Sequence, residues 1–329
     1  MNSLAPTLQR FFTEWLVRQR RVSQHTVAAY RDTFRLLLAF AQQTTGRAPA
    51  QLDWGDLDAA LIAAFLEHLE MERHNSIRTR NARLAAVHSL FRFAALRHPE
   101  HAAVIQRVLA IPQKRGERNL VTFLESHEVS ALLAAPDRSR WVGRRDYAML
   151  VLAIQTGLRV SEITALTCQD VRLGTGAHVW CRGKGRKERV TPLTDHTVAV
   201  LETWLAERQG QPAAPLFPGP GGAQLTRDAV ALIVSKHATT ASACCPSMAR
   251  KKVSPHVLRH SCAMQLLRAG VDTSTIALWL GHESVQTTQI YLHADLALKE
   301  RALARTAPPD APTGRYQPPD SLLAFLEAL

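Results

Sequence analysis

The chain has 329 residues, 46% hydrophobic and 21% charged, a balance that excludes wholesale disorder and a length that accommodates two domains with separate cores. A net charge of +12 and a pI near 10.1 direct it toward polyanions, nucleic acid first among them. Its five cysteines (Cys168, Cys181, Cys244, Cys245, Cys262) are odd in number and form no CxxC pair, which argues against a zinc site or a disulfide framework and for a reducing cytoplasm.

The opening MNSLAPTLQRFFTEWLVRQRR reads as an amphipathic helix interrupted by charge, without the apolar core and cleavage site of a signal peptide. No later stretch reaches the ~18 uninterrupted apolar residues of a membrane helix. From Leu8 to about Ala110 apolar residues recur at three and four, predicting four or five helices. Ser23 caps one that carries Val27, Tyr30, Phe34, Leu37 and Phe40 toward Gly46; Asp56 begins the next, Ser76 the one after, and Pro99 separates a last short helix. No lysine precedes Lys114, so the basic character of the first third is arginine alone, a residue that grips phosphate with parallel donors and one that a GC-rich gene also encodes in excess. In SIRTRNARLAAVHSLFRF, Arg78, Arg80 and Arg83 fall on or near one side and Leu84, Val87 and Leu90 toward a core, which makes this helix the candidate for DNA phosphate and groove contact, against the plain reading of a solvated face.

Residues 112–122, PQKRGERNLVT, break the periodicity and gather charge, marking a linker between a helical domain over 1–111 and a second domain over 123–305. The second domain starts with helices over Glu128–Ala134 and Trp141–Thr156, the latter closed by Gly157, and a short one from Ser161. The period then changes to two: HVWCR and ERVTPL flank GKGRK, a β-hairpin with a basic turn. Helices return at Asp195–Arg208, Thr226–Ala238, Ser254–Ala269, Thr273–Leu280 and Ser284–Leu303. Residues 306–319 are Pro-rich and read as an extended tether; SLLAFLEAL beyond them is a short apolar helix that needs a docking partner, its own domain or a neighbouring subunit. For ASACCPSMARKK, residues 241–252, the sequence offers no role.

Four segments carry chemistry. In SPHVLRH, Ser254 suits an N-cap and Pro255 the first helical position, so His256 and Arg259 share a face at the positive end of a helix dipole, a place for phosphate. In TGLRVSEI, Arg159 occupies the turn between two helices, where it either faces a site or pairs with Glu162. The hairpin turn offers Lys184 between two glycines, with Arg186, Lys187 and Arg189 nearby; an ammonium here can protonate a departing oxygen. In LGHESVQTTQIYLH, His282 stands at the break after Gly281 and the following helix carries Tyr291. Each segment alone has an ordinary structural explanation, a solvated polar face or a packed aromatic ring.

In order and spacing, the four segments resemble the tyrosine recombinase or phage integrase family, which includes Xer-like and mobile-element-encoded members. The family pattern of Arg, Lys, His-x-x-Arg, His or Trp, and Tyr maps onto Arg159, Lys184, His256, Arg259, His282 and Tyr291, with Glu162 at the acidic position that follows the first arginine. Lys187 competes with Lys184 for the lysine role and otherwise serves as a DNA contact.

The resemblance implies a mainly α fold with a small β-hairpin or three-stranded sheet in the catalytic domain, and a SAM-like helical N-terminal domain that closes a C-shaped clamp on DNA. It implies a site-specific recombinase acting without metal, cofactor or ATP: Tyr291 attacks the phosphodiester, Lys184 protonates the 5′ oxygen, and a 3′ phosphotyrosine is resolved by a second strand. Arg159 and Arg259 stabilise the charge that develops on phosphate, His256 and His282 complete the cradle, and His256 is the candidate to accept the phenol proton. A phenol with a pKa near 10 is ionised about once in a thousand at neutral pH, a deficit of ~4 kcal/mol that the cationic field must offset. The implied partners are a double-stranded recombination site and a tetramer of identical or related subunits, in a bacterial-type cytoplasm at the nucleoid. The other readings are a type IB topoisomerase-like relaxing enzyme and a non-catalytic DNA-binding regulator on the same scaffold. Integration, excision, resolution and transposition stay open.

Overall fold

The computed structural model describes residues 4–116, 121–183, 188–282, 284 and 286–294, and the chain divides into two compact units, Met1–Arg118 and Asn119–Leu329.

The first unit is helical throughout its described residues: α1 (Leu4–Arg10), a π-helical stretch (Phe11–Gln19), α2 (Gln24–Thr45), α3 (Ala59–Met71), α4 (Ile77–Ala95) and α5 (Ala102–Leu109). The starts are dictated locally. Ser23 accepts from the Thr26 amide and Ser76 from the Thr79 amide, as expected of N-caps. The expected start at Asp56 moves to Asp58, whose side chain accepts from the Leu61 amide. Asp56 instead accepts from the Asp53 amide and pairs with Arg47, so its carboxylate is occupied two residues before the cap position. Phe11, Phe34, Leu37, Trp54, Phe65, Leu84 and Phe91 form the core, with Phe11 and Phe34 edge to face at 6.1 Å.

The second unit contains α6 (Ser126–Ala134), α7 (Trp141–Thr156), α8 (Val160–Ala165), strands β1 (Val171–Arg172), β2 (His178–Arg182) and β3 (Glu188–Pro192), then α9 (Asp195–Arg208), α10 (Arg227–Ser242), α11 (Pro255–Arg268), α12 (Thr273–Leu280) and α13 (Gln286–Ala294). The sheet is antiparallel in the order β1-β2-β3, with Trp180 opposite Val190 and Arg182 opposite Glu188. Val179 and Cys181 point into the core, as a half-buried strand of period two requires. The most enclosed helix is α7, buried from Ala148 to Ile154 without interruption, and α9 and α11 pack on it. A separate small cluster joins Cys262, Met264 and Leu267 of α11 to Ile276 and Leu280 of α12 and Tyr291 of α13.

Residues 241–252 acquire a role as a brace. Cys245 and Met248 are buried, and Lys251 Nζ donates to Glu128 Oε2 at 2.5 Å and to the Phe123 carbonyl at 2.9 Å, fixing the approach to α11 against α6. Ser254 occupies the N-cap position of α11 but makes no side-chain cap bond; Pro255 supplies the helical start. Lys184, Lys187 and residues 306–329 lie outside the described residues.

Candidate active site

Two helices end on glycine at the centre of this site. Gly157 closes α7 at φ +63 and Gly281 closes α12 at φ +64, a left-handed conformation that costs other residues energy. A Cβ on Gly157 would come within 2.5 Å of Leu280 Cδ2, so the glycine also permits the two helix ends to approach. Helix C-termini leave carbonyls without intrahelical donors and carry the negative end of the dipole. Guanidinium groups fill that need here. Arg259 donates to the Gly157 carbonyl at 2.7 Å and the Leu280 carbonyl at 2.6 Å, and Arg159 donates to the Gly281 carbonyl at 2.7 Å. The two arginines, exactly a hundred residues apart in sequence, thus converge on one corner.

Arg159 is the N-cap residue of α8. Its amide donates to Glu162 Oε2 at 2.8 Å and its Nη1 to Glu162 Oε1 at 3.0 Å, so the suspected pairing with Glu162 exists alongside the reach toward Gly281. Glu162 is 2% exposed and also receives both terminal nitrogens of Arg189, at 2.8 and 2.7 Å. Burial would raise its pKa, but the bonds and charge of Arg189, with Arg159, outweigh it and hold the carboxyl below its usual range. Arg189 Nε donates to the Trp279 carbonyl at 3.1 Å. One side chain of β3 therefore joins the hairpin, the Arg159 turn and the end of α12. From the sequence Arg189 is one more cation of a basic turn, and its link to Glu162 is a finding of the structure.

Tyr291 is 1% exposed, and its hydroxyl is hydrogen-bonded to His260 Nδ1 at 2.9 Å. The His282 ring stacks on it with centroids 6.5 Å apart. His282 Nδ1 is in turn hydrogen-bonded to Thr288 Oγ1 at 2.8 Å, a buried threonine one turn before the tyrosine. His256 lies exposed in the first turn of α11 with its ring 5.3 Å from His260. The histidine on the phenol is thus His260, one residue beyond the His-x-x-Arg motif, and its relation to His256 was available in the sequence: positions four apart share a helix face.

Burial dominates the electrostatics. It pushes the Tyr291 phenol up to about 12, although Arg259 pulls the other way; the cationic field expected from the sequence is present but does not ionise this phenol in the DNA-free chain. Burial, then His256 and Arg259, take His260 down to about 4, and burial, then Arg259 and Arg159, take His282 to about 4. Arg259 itself falls to about 10 through burial and the proximity of Arg159. Cationic residues, two neutral histidines and a neutral phenol face one another.

Among the candidates for DNA contact, Arg78 is exposed and Arg83 half-buried, its pKa lowered by burial and by Arg73. Arg80 departs from expectation. It is 6% exposed, paired with Glu70 through Nε at 3.3 Å and bonded to the Pro112 carbonyl at 3.1 Å, so it fastens the start of the linker to α4 rather than facing outward. Its spacing to Leu84, Val87 and Phe91 is that of the buried face. Among the described residues no group of histidine, cysteine and carboxylate side chains suits a metal ion, and no described helix is long and apolar enough to cross a membrane.

Comparison with known proteins decides the family. Residues 122–297 match the phage integrase family and residues 9–98 its N-terminal SAM-like domain. The chain belongs to the phage integrase family. Over 327 residues it is 55% identical to a Sinorhizobium fredii protein named as an integrase/recombinase, y4rC, covering 99% of this chain and 98% of the relative. It is 35% identical to tyrosine recombinase XerC of Pelobacter propionicus, over 87% of this chain and 90% of that one. Among solved structures, XerH site-specific recombinase bound to a palindromic difH substrate has the same fold at a TM-score of 0.70, with 23% identity over 87% of this chain and 81% of that chain. As a phage integrase family member, the chain is a site-specific recombinase, a transesterase that cleaves and rejoins DNA. The relaxing-enzyme and regulator readings are not favoured by these relatives.

Proposed function

We propose that Tyr291 is the nucleophile of this recombinase and that Arg159, Arg259, His256 and His282 form the cradle for the scissile phosphate. The observation that carries the reading is the convergence of Arg159 and Arg259 on the Gly157, Leu280 and Gly281 carbonyls beside Tyr291. Each guanidinium is anchored by part of its donor set, and the remaining N–H groups are assigned to the phosphate. A phosphodiester under attack gathers negative charge on its nonbridging oxygens, and donors fixed in advance stabilise that charge without reorganising. His282, held through Nδ1 by Thr288, offers Nε2 to the same phosphate. Lys184 protonates the departing 5′ oxygen; Lys187 is the alternative in the same turn.

The substrate is a double-stranded recombination site, bound by the 123–305 catalytic domain and by the 1–111 helical domain through Arg78 and Arg83. The strand exchange takes place in a synapse of four identical or related subunits, in the bacterial cytoplasm where the nucleoid lies. Relatives named as XerC and a fold shared with a recombinase solved on its DNA site support this reading. The test is a nicked suicide duplex built on the sequence that the protein selects from a random pool. Wild-type protein accumulates a covalent adduct on it, and Tyr291→Phe binds without forming one.

A further inference from the structure

The motif histidine of this helix is His256, but the phenol meets a different one. We propose that His260 takes the proton of Tyr291 when the phenol attacks; this rests on the reading of Tyr291 as nucleophile. The argument begins with geometry. His260 Nδ1 lies 2.9 Å from the Tyr291 hydroxyl, within the range required of a general base, with the Tyr291 ring buried and the His260 ring half-buried, their centroids 5.5 Å apart. His256 and Arg259 face His260 from its own helix, Tyr291 from α13 and His282 from the turn after α12.

With those neighbours and that burial, the imidazole is neutral at physiological pH and is assigned the tautomer with the ring proton on Nε2, which leaves the Nδ1 lone pair to accept from the phenol. A neutral histidine is the form that can accept a proton. Without DNA, transfer is unfavourable, because an imidazolium beside Arg259 and a phenolate out of water are both costly. A seated phosphodiester changes this: its negative charge offsets Arg259 and stabilises the imidazolium. The nucleophile is thereby activated by the group it attacks, and the empty enzyme keeps an inert phenol.

The step balances without any other reagent. The Tyr291 oxygen forms its bond to phosphorus, the bond from phosphorus to the 5′ oxygen breaks, the phenol proton passes to His260 Nδ1, and the 5′ oxygen is protonated by the hairpin lysine. In the return step a 5′ hydroxyl attacks phosphorus and gives its proton to the hairpin lysine, neutral after the first step, while the bond from phosphorus to the Tyr291 oxygen breaks and His260 returns its proton to the departing phenolate.

The test compares wild type with His260→Asn, whose side-chain amide can hold the phenol by a hydrogen bond but cannot take its proton, on the selected suicide duplex. A second duplex carries sulfur in place of the bridging 5′ oxygen, a leaving group that needs no acid. His260→Asn is expected to bind both with wild-type affinity and to form adduct on both about 10²- to 10⁴-fold more slowly. Its rate climbs with pH across about pH 6.5 to 8, where the wild-type rate is flat. Adduct formation by His260→Asn at the wild-type rate overturns the proposal, and so does rescue by the sulfur leaving group, which would place His260 on the acid side. A Tyr291→Phe protein that still forms adduct strikes instead at the underlying reading.

Discussion

Arg189 and Glu162 form a two-pronged ion pair, Nη1 to Oε1 at 2.8 Å and Nη2 to Oε2 at 2.7 Å, with the carboxylate 1% exposed and the guanidinium 11% exposed. Removing Arg189 leaves the buried carboxylate with Arg159 as its remaining charged partner, a large part of its compensation gone. Arg189→Ala is therefore expected to lose about 3–5 kcal/mol of stability in urea unfolding. Arg189→Ala combined with Glu162→Gln recovers part of the loss, since the under-compensated buried charge is gone. In the double variant the ion pair between Glu162 and Arg159 is lost as well, so adduct formation falls further there than in Arg189→Ala, which keeps the Glu162 carboxylate on Arg159.

Titration of the site histidines gives a pH signature. His260 and His282 sit at about 4 in the folded chain, against about 6.5 when unfolded. Between those values the unfolded chain binds more protons, so stability rises with pH through this window and is lost as pH falls from about 6.5 toward 4. Glu162 acts in the same direction: its depressed folded pKa contributes stability above the usual carboxylate range, lost only as pH falls below it. Thermal unfolding followed from pH 7 to 4 should show the decline, and His260→Asn should flatten its upper part.

Arg80 and Arg78 separate stability from DNA binding. Arg80→Ala removes a buried partner of Glu70 and is expected to destabilise the first unit, with little change in the salt dependence of DNA binding measured while the protein is folded. Arg78→Ala leaves unfolding within about 0.5 kcal/mol of wild type and lowers the slope of log affinity against log salt by about 1 if it contacts one phosphate. The reverse assignment would return Arg80 to the DNA-binding face.

Much of this was legible in the sequence because local rules were sufficient. The β-hairpin arms, α12 and α9 follow from period and turn chemistry, and Arg159, Arg259, His282 and Tyr291 were singled out by the order of their segments. What escaped depends on packing between elements. Arg189 reaches Glu162 across 27 residues and His260 meets Tyr291 across 31, and no periodicity reports such pairs. Arg80 differs for another reason: its charge suggests an outward face, but its position four residues before Leu84 puts it on the apolar stripe of α4. Asp56 shows the limit of cap rules, since Asp56 and Asp58 are equally good caps in isolation and the bonds that Asp56 accepts from Arg47 and from the Asp53 amide separate them.

Gly157→Ala tests the corner that gathers the two arginines. The left-handed backbone costs an alanine about 1–2 kcal/mol, and its Cβ would displace Leu280, whose carbonyl holds Arg259. Lower stability and a larger fractional loss of adduct formation than of DNA affinity are the expected outcome, read by urea unfolding, suicide-duplex trapping and gel shift.

The central claim is the identity of the attacking residue. Trypsin releases residues 269–299 as one peptide, between Arg268 and Lys299, and Tyr291 is its single tyrosine. Mass spectrometry of the trapped adduct after nuclease and tryptic digestion should find the nucleotide phosphate on that peptide, at Tyr291, and on nothing in the Tyr291→Phe protein. A nucleotide carried by Tyr30, Tyr147 or Tyr316, or by any residue of the Tyr291→Phe protein, would contradict the account.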